Sequence, residues 1–184
     1  MLKTLSIIGE KLRNKNIIWG VGGSLLLSFY DLINKPNDID ILVDEADAEK
    51  FVEILFSIGE QKEARRSSPF QTVHFSKFRI NNVDIDVMGG FAIEHEEGIY
   101  KLALTRESIV DYKNLSGVEI PLCSLEDWYI LYWLIPNKQD KALMIEYYLK
   151  TNGVSHPLVL HQALMQPLPT DVKNRVKSLI ETTS

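Results

Sequence analysis

Apolar residues recur at Leu2, Leu5, Ile8 and Leu12, interrupted by Lys3, Glu10, Lys11 and Arg13. That spacing predicts an amphipathic helix over 2–14. Residues 17–21 read as a short buried strand, Gly22-Gly23 as a turn, and 24–33 as an apolar helix. Pro36-Asn37 punctuates the approach to a strand over 38–43. Ala48, Phe51, Val52, Leu55 and Phe56 give 44–59 a helical period, with acidic residues early, as the helix dipole favours. Residues 71–80 and 83–88 alternate as strands around Asn81-Asn82, a dipeptide suited to a two-residue hairpin turn. Segments 100–104 and 118–122 add strands, and helical patterns then cover 124–135, 139–151, 155–165 and 170–182. The expected class is α/β (α+β). A small mixed sheet flanked by helices occupies residues 1–122, and a helical region follows over 123–184.

Candidate chemistry enters with Asp38-Ile39-Asp40. Two carboxylates separated by one apolar residue face the same side of a strand. Side by side at the edge of a core they are costly unless a cation neutralises them. Hard oxygen ligands on a rigid strand suit Mg²⁺, which uses one or two carboxylates together with substrate phosphates. Asp84-Ile85-Asp86 repeats the pattern on a later strand. Upstream, Gly22-Gly23-Ser24 joins a strand to a helix, where backbone N–H groups, close approach and a hydroxyl can meet a phosphate. The same triplet is also an ordinary turn and N-cap.

Composition narrows the class. The chain has 184 residues, 45% hydrophobic and 24% charged, as in ordinary soluble domains. A formal charge of −5 lacks the basic footprint of an extended nucleic-acid binder. One cysteine, Cys123, precludes an internal disulfide and fits a reducing cytoplasm. No signal-like segment begins the chain, and the apolar run near 129–135 is too short to span a bilayer. His74, His95, His156 and His161 show no zinc-ligand spacing, and neither a GxSxG nor a Walker A sequence occurs.

Taken in order, Val21-Gly22-Gly23-Ser24, Asp38-Ile39-Asp40 and Val83-Asp84-Ile85-Asp86 resemble the nucleotidyltransferase superfamily of the polymerase beta type. The resemblance spans roughly residues 1–90 and looks most like small bacterial enzymes acting on aminoglycosides and lincosamides. It implies transfer of a nucleoside monophosphate from an NTP, ATP in the first instance, to an acceptor hydroxyl with release of pyrophosphate. Asp38, Asp40 and Asp84 would hold Mg²⁺. Asp84 would complete the metal site or act as base, with Asp86 as its neighbour. Gly22, Gly23 and Ser24 would cradle the phosphates. In the helical half the resemblance is weaker: Asn137-Lys138-Gln139-Asp140 has glutamine where relatives carry lysine, leaving Lys138 or Lys141 as substitutes.

A two-residue turn at Asn81-Asn82 would set Arg79 opposite Asp84 and Lys77 opposite Asp86. Cross-strand ion pairs are the plain reading; contact of Lys77 and Arg79 with the triphosphate is the functional one. Arg65 and Arg66 precede the hairpin and could also meet phosphates. The leading expectation is a cytoplasmic enzyme acting on a small hydroxylated molecule, an antibiotic being one case. A protein or RNA acceptor of toxin–antitoxin type, or a nucleotide-binding domain without catalysis, are the alternatives.

Overall fold

The computed structural model describes residues 1–183. Its main sheet has seven strands in the order β3-β4-β5-β2-β1-β9-β8. The middle strands are β1 (Trp19–Gly22), β2 (Ile39–Val43) and β5 (Val83–Gly89). On one side lie β4 (His74–Ile80) and β3 (Glu60–Lys62), and on the other β9 (Val118–Cys123) and β8 (Ile109–Leu115). β2 runs antiparallel to β1 and parallel to β5, so the sheet is mixed, as expected. A separate two-stranded ribbon is formed by β6 (Phe91–His95) and β7 (Gly98–Leu102). The helices are α1 (Leu2–Leu12), α2 (Gly23–Phe29) and α3 (Ala48–Phe56), then α4 (Leu125–Leu134), α5 (Gln139–Asn152), α6 (Pro157–Leu164) and α7 (Thr170–Thr183).

Periodicity explains most of these elements. In α1 the stripe Leu5, Ile8 and Leu12 is buried while Lys3, Glu10, Lys11 and Arg13 face water. α4 is apolar around its circumference and buried around it, with Ser124 as N-cap accepting from the Asp127 amide at 3.0 Å. One hydrophobic cluster runs from Leu5 and Val21 through Leu122 to Tyr129, Ile145 and Leu179, so sheet and C-terminal helices share a core.

Several expected boundaries move. The helix predicted over 24–33 stops at Phe29, where Asp31 takes a positive φ of 58°. The segment 44–59 divides into a 3₁₀ turn at Glu45–Asp47, capped by Asp44, and α3. The predicted strand 71–80 begins only at His74, because the residues before it pair elsewhere. Gln71 and Val73 donate to Ala92 and Gly90, and Glu94 donates to Pro69. β3, β6 and β8 were not expected from the pattern. Residues of β3 and β8 are largely exposed and polar, and edge strands of that kind carry little alternation.

Candidate active site

The site is a transverse row of residues across the sheet. Gly22 of β1 pairs with Asp40 of β2, Asp40 with Asp86 of β5, and Asp86 with Lys77 of β4. Asp38, immediately before β2, turns toward the same place. Carboxylate oxygens of Asp38, Asp40 and Asp86 all lie within 4.8 Å of one another, the one such group among the described residues. Hard oxygen donors at that separation fit a Mg²⁺-class ion.

Asp86, and not the expected Asp84, is the carboxylate that this geometry groups with Asp38 and Asp40. Parallel pairing sets Ile39 beside Ile85 and Asp40 beside Asp86, so Asp84 falls level with Asp38, one residue ahead of β2. Its side chain is 59% exposed and ion-paired with Arg79 at 2.9 Å, outside the group of three. The hairpin itself folds as read from Asn81-Asn82. Both asparagines have positive φ, 49° and 60°, and Arg79 faces Asp84 while Lys77 faces Asp86. Lys77 donates to both oxygens of Asp86 at 3.0 Å and lines the cleft. Arg79 is not among the residues of the cleft wall.

Electrostatics mark the same group. Burial, then the charges of Asp38 and Asp86, push the Asp40 carboxyl up to about 7. Burial also raises Asp86, against the lowering effect of its bond to Lys77. The Tyr132 phenol is pushed up by burial and by the nearby charges of Asp40 and Asp38. Three carboxylates so crowded hold charge that the protein alone neutralises poorly.

Both glycines of the turn are required by close approach. A Cβ on Gly22 would lie 2.1 Å from the Trp128 indole, and one on Gly23 would lie 1.8 Å from Asp40 Oδ2. Gly23 also has a φ of 60°, a conformation that L side chains rarely adopt. Ser24 is not the N-cap of α2; that position is Gly22. Its Oγ is buried with no hydrogen-bond partner and borders the cleft, so a polar group of a ligand would satisfy it.

Above this floor is a cavity of about 410 Å³ between the sheet and α4–α5. Trp128, Tyr132 and Ile135, one face of α4, form a wall, and Phe70, Phe75 and Phe91 line another part. Core packing is thus only part of the role of the α4 aromatics. Lys138 and Lys141 line the cavity, whereas Gln139 donates to the Trp133 and Ile135 carbonyls at the end of α4. Arg65 and Arg66 line it too. The sequence reading did not assign Phe70, Phe75 or Phe91 to a site. Only Phe75 falls in an element expected from the pattern, the strand over 71–80, and only the folding of 69–73 against β6 brings Phe70 within T-shaped contact of Phe91, 6.2 Å between centroids.

By sequence, no protein-family model and no curated protein matches the chain. Solved structures do match in fold. A Thermotoga maritima protein assigned as a nucleotidyltransferase is 24% identical, with a TM-score of 0.61 over 82% of this chain and 93% of its own. ANT(2″)-Ia in complex with adenylyl-2″-tobramycin matches over 100% of this chain and 98% of its own, at 11% identity and a TM-score of 0.56. The lincosamide antibiotic adenylyltransferase LnuA, lincomycin-bound, matches over 78% and 95%, at 14% identity and 0.51. The resemblance read from the glycine turn and the Asp38/Asp40 pair thus holds at the level of the fold. The chain has the nucleotidyltransferase fold.

Proposed function

We propose that this protein is a metal-dependent nucleotidyltransferase that moves a nucleoside monophosphate from an NTP, ATP in the first instance, to a hydroxyl of a small molecule. The observation that carries the reading is the convergence of Asp38, Asp40 and Asp86 on the floor of a cavity beside the unpartnered Ser24 hydroxyl. Metal-bearing and phosphate-meeting groups coincide there, on the fold of the structures just described.

Asp38, Asp40 and Asp86 would hold Mg²⁺, which supplies charge neutralisation on the triphosphate oxygens and on the departing pyrophosphate. Ser24 Oγ donates to a phosphate oxygen, and Gly23 leaves the room that a side chain would fill. Lys138 and Lys141 contribute positive charge from the helical wall. Asp86 accepts the acceptor's hydroxyl proton. The freed oxygen attacks the α-phosphorus, and the bond between that phosphorus and pyrophosphate breaks. The covalent demand on the protein is small, so positioning and fixed charge supply most of the rate. Lys77, bonded to Asp86, is a positioning residue that restrains this carboxylate before substrate arrives.

Intact carboxylates favour catalysis over passive nucleotide binding. No helix of the described residues is long and apolar enough to cross a membrane, and a cytoplasmic setting supplies the NTP and Mg²⁺ that the reaction needs. Incubation with α-labelled ATP, Mg²⁺ and a panel of hydroxylated acceptors tests the reading. The expected result is a labelled nucleotidyl product and pyrophosphate, both abolished by chelator. Transfer that persists in chelator, or no labelled product from any NTP and acceptor in the panel, counts against it.

A further inference from the structure

The walls of the cavity carry a charge pattern that speaks to the acceptor, an inference resting on the nucleotidyl-transfer reading. The whole chain has a formal charge of −5. Yet its cavity is bordered by Arg65, Arg66, Lys77, Lys138 and Lys141, and by no acid other than Asp38, Asp40 and Asp86. Those three are the candidate metal ligands, so they are not available to a cationic acceptor.

The five bases divide by location. Lys77 is committed to Asp86. Lys141 lies over the Tyr132 ring at 5.3 Å and acts on Asp40 from the helical side, with Lys138 in the preceding turn. Arg65 and Arg66 belong instead to the segment joining β3 to β4, which continues into Phe70. Arg66 donates to the Val73 carbonyl, a neutral partner that leaves its charge without a counter-ion among the described residues. Arg65 meets only Glu63, in a pair whose side chains are 83% and 74% exposed, a contact that exchanges readily. The same cavity is lined by aromatic rings, Phe70, Phe75 and Phe91. Planar guanidinium groups and aromatic rings lining one cavity suit a carboxylate or phosphate attached to a flat apolar body.

We propose that the acceptor is a small anionic molecule, bearing a carboxylate or phosphate beside an aromatic or similarly flat apolar group, and that polycationic acceptors are excluded. A polyamine-bearing sugar would have to bring its ammonium groups against Arg65 and Arg66, with no free carboxylate in the cavity to receive them.

A matched series tests this: phenyl β-glucoside (neutral), phenyl β-glucuronide (carboxylate), phenyl β-glucoside 6-phosphate, and phenyl 6-amino-6-deoxy-β-glucoside (cation). Each is titrated into the full chain with Mg²⁺, both with and without α,β-methylene-ATP, so the preference is read whether or not nucleotide binds. Nucleotide binding is scored separately; its absence counts against the transfer reading alone. At least one anionic member should bind about tenfold or more tighter than the neutral one, a gap of the size expected for a charge-assisted pair. The amine should bind weakest. Which anion wins distinguishes carboxylate from phosphate. The gap should collapse in Arg65→Gln/Arg66→Gln and persist in Arg65→Lys/Arg66→Lys, with melting curves confirming that both fold. Equal binding of all four, no binding of any, a preference for the amine, or a gap that survives the glutamine pair would overturn the proposal. So would tighter binding by a short RNA bearing a free 3′ hydroxyl, which would make the acceptor a macromolecule.

Discussion

Asp40 and Asp86 are partners across the parallel strands β2 and β5, and with Asp38 they confine three carboxylates within 4.8 Å. The same row continues to Gly22 on one side and to Lys77 on the other. Strand register therefore determines which acids meet. A slip of two residues would keep every side chain on its face but exchange Asp86 for Asp84. The functional account depends on that distinction.

Asp86→Asn should lower nucleotidyl transfer by a factor on the order of 10² or more, the scale of losing a positioned base or charge. Asp84→Asn should leave transfer within about threefold, because an exposed pair with Arg79 contributes little. Steady-state rates of both variants, alongside melting curves, check this. The reverse ranking would return the role to Asp84.

Stability should depend on pH through Asp40. Its carboxyl titrates near 7 in the folded protein, above the ordinary 3.8, so folded chains bind more protons than unfolded ones between those values. Metal-free stability then falls as pH rises through that window, and the penalty is complete above it. Asp40→Asn should accordingly stabilise the metal-free protein at pH 8 by about 1–3 kcal/mol and change little at pH 4. Mg²⁺ should stabilise the wild type at pH 8 and leave the variant nearly unaffected. Denaturant titrations at the two pH values decide the matter; a variant less stable than wild type at pH 8 would contradict the assignment.

Gly23→Ala should be more damaging to nucleotide and metal binding than Ser24→Ala. The new methyl group would collide with Asp40 Oδ2 and hold an unfavourable φ, at about 1–2 kcal/mol for the backbone alone. Removing the Ser24 hydroxyl costs one hydrogen bond to the phosphate, about 1 kcal/mol or a severalfold loss of affinity. Calorimetric titration with α,β-methylene-ATP and Mg²⁺ compares them. Wild-type affinity in both would remove the turn from the site.

Glu146 ties the helical part together. It accepts from the Tyr129 hydroxyl at 2.8 Å and pairs with Lys150 on its own helix and with Arg175 of α7. Arg175 also lies 4.4 Å from the Trp133 ring centroid. Glu146→Ala should cost about 2–3 kcal/mol in urea unfolding, because the buried hydroxyl and both cations lose their acceptor together. A change below about 0.5 kcal/mol would show that α7 packs independently of this network.

Much of the sheet and the candidate site was legible because it depends on local pattern. The period-two placement of Asp38 and Asp40, the glycine turn and the Asn81-Asn82 hairpin each dictate conformation within a few residues. The choice between Asp84 and Asp86 was not legible, since both face one side of β5 and only the register against β2 separates them. β6 is not marked by the pattern because Phe91-Ala92-Ile93 has no alternation, and it pairs with β7 apart from the main sheet, bordered on its other side by the irregular segment 69–73. The basic and aromatic lining of the cavity is likewise tertiary. Arg65, Phe70, Trp128 and Lys141 come together only when the β3–β4 connection and α4–α5 close over the sheet.

The most direct measurement is anomalous diffraction from crystals soaked with Mn²⁺ and α,β-methylene-ATP. The account predicts a manganese peak coordinated by Asp38, Asp40 and Asp86, with the triphosphate reaching Ser24 Oγ. A peak held by Asp84, or ordered nucleotide in the cavity with no metal at these carboxylates, would contradict it.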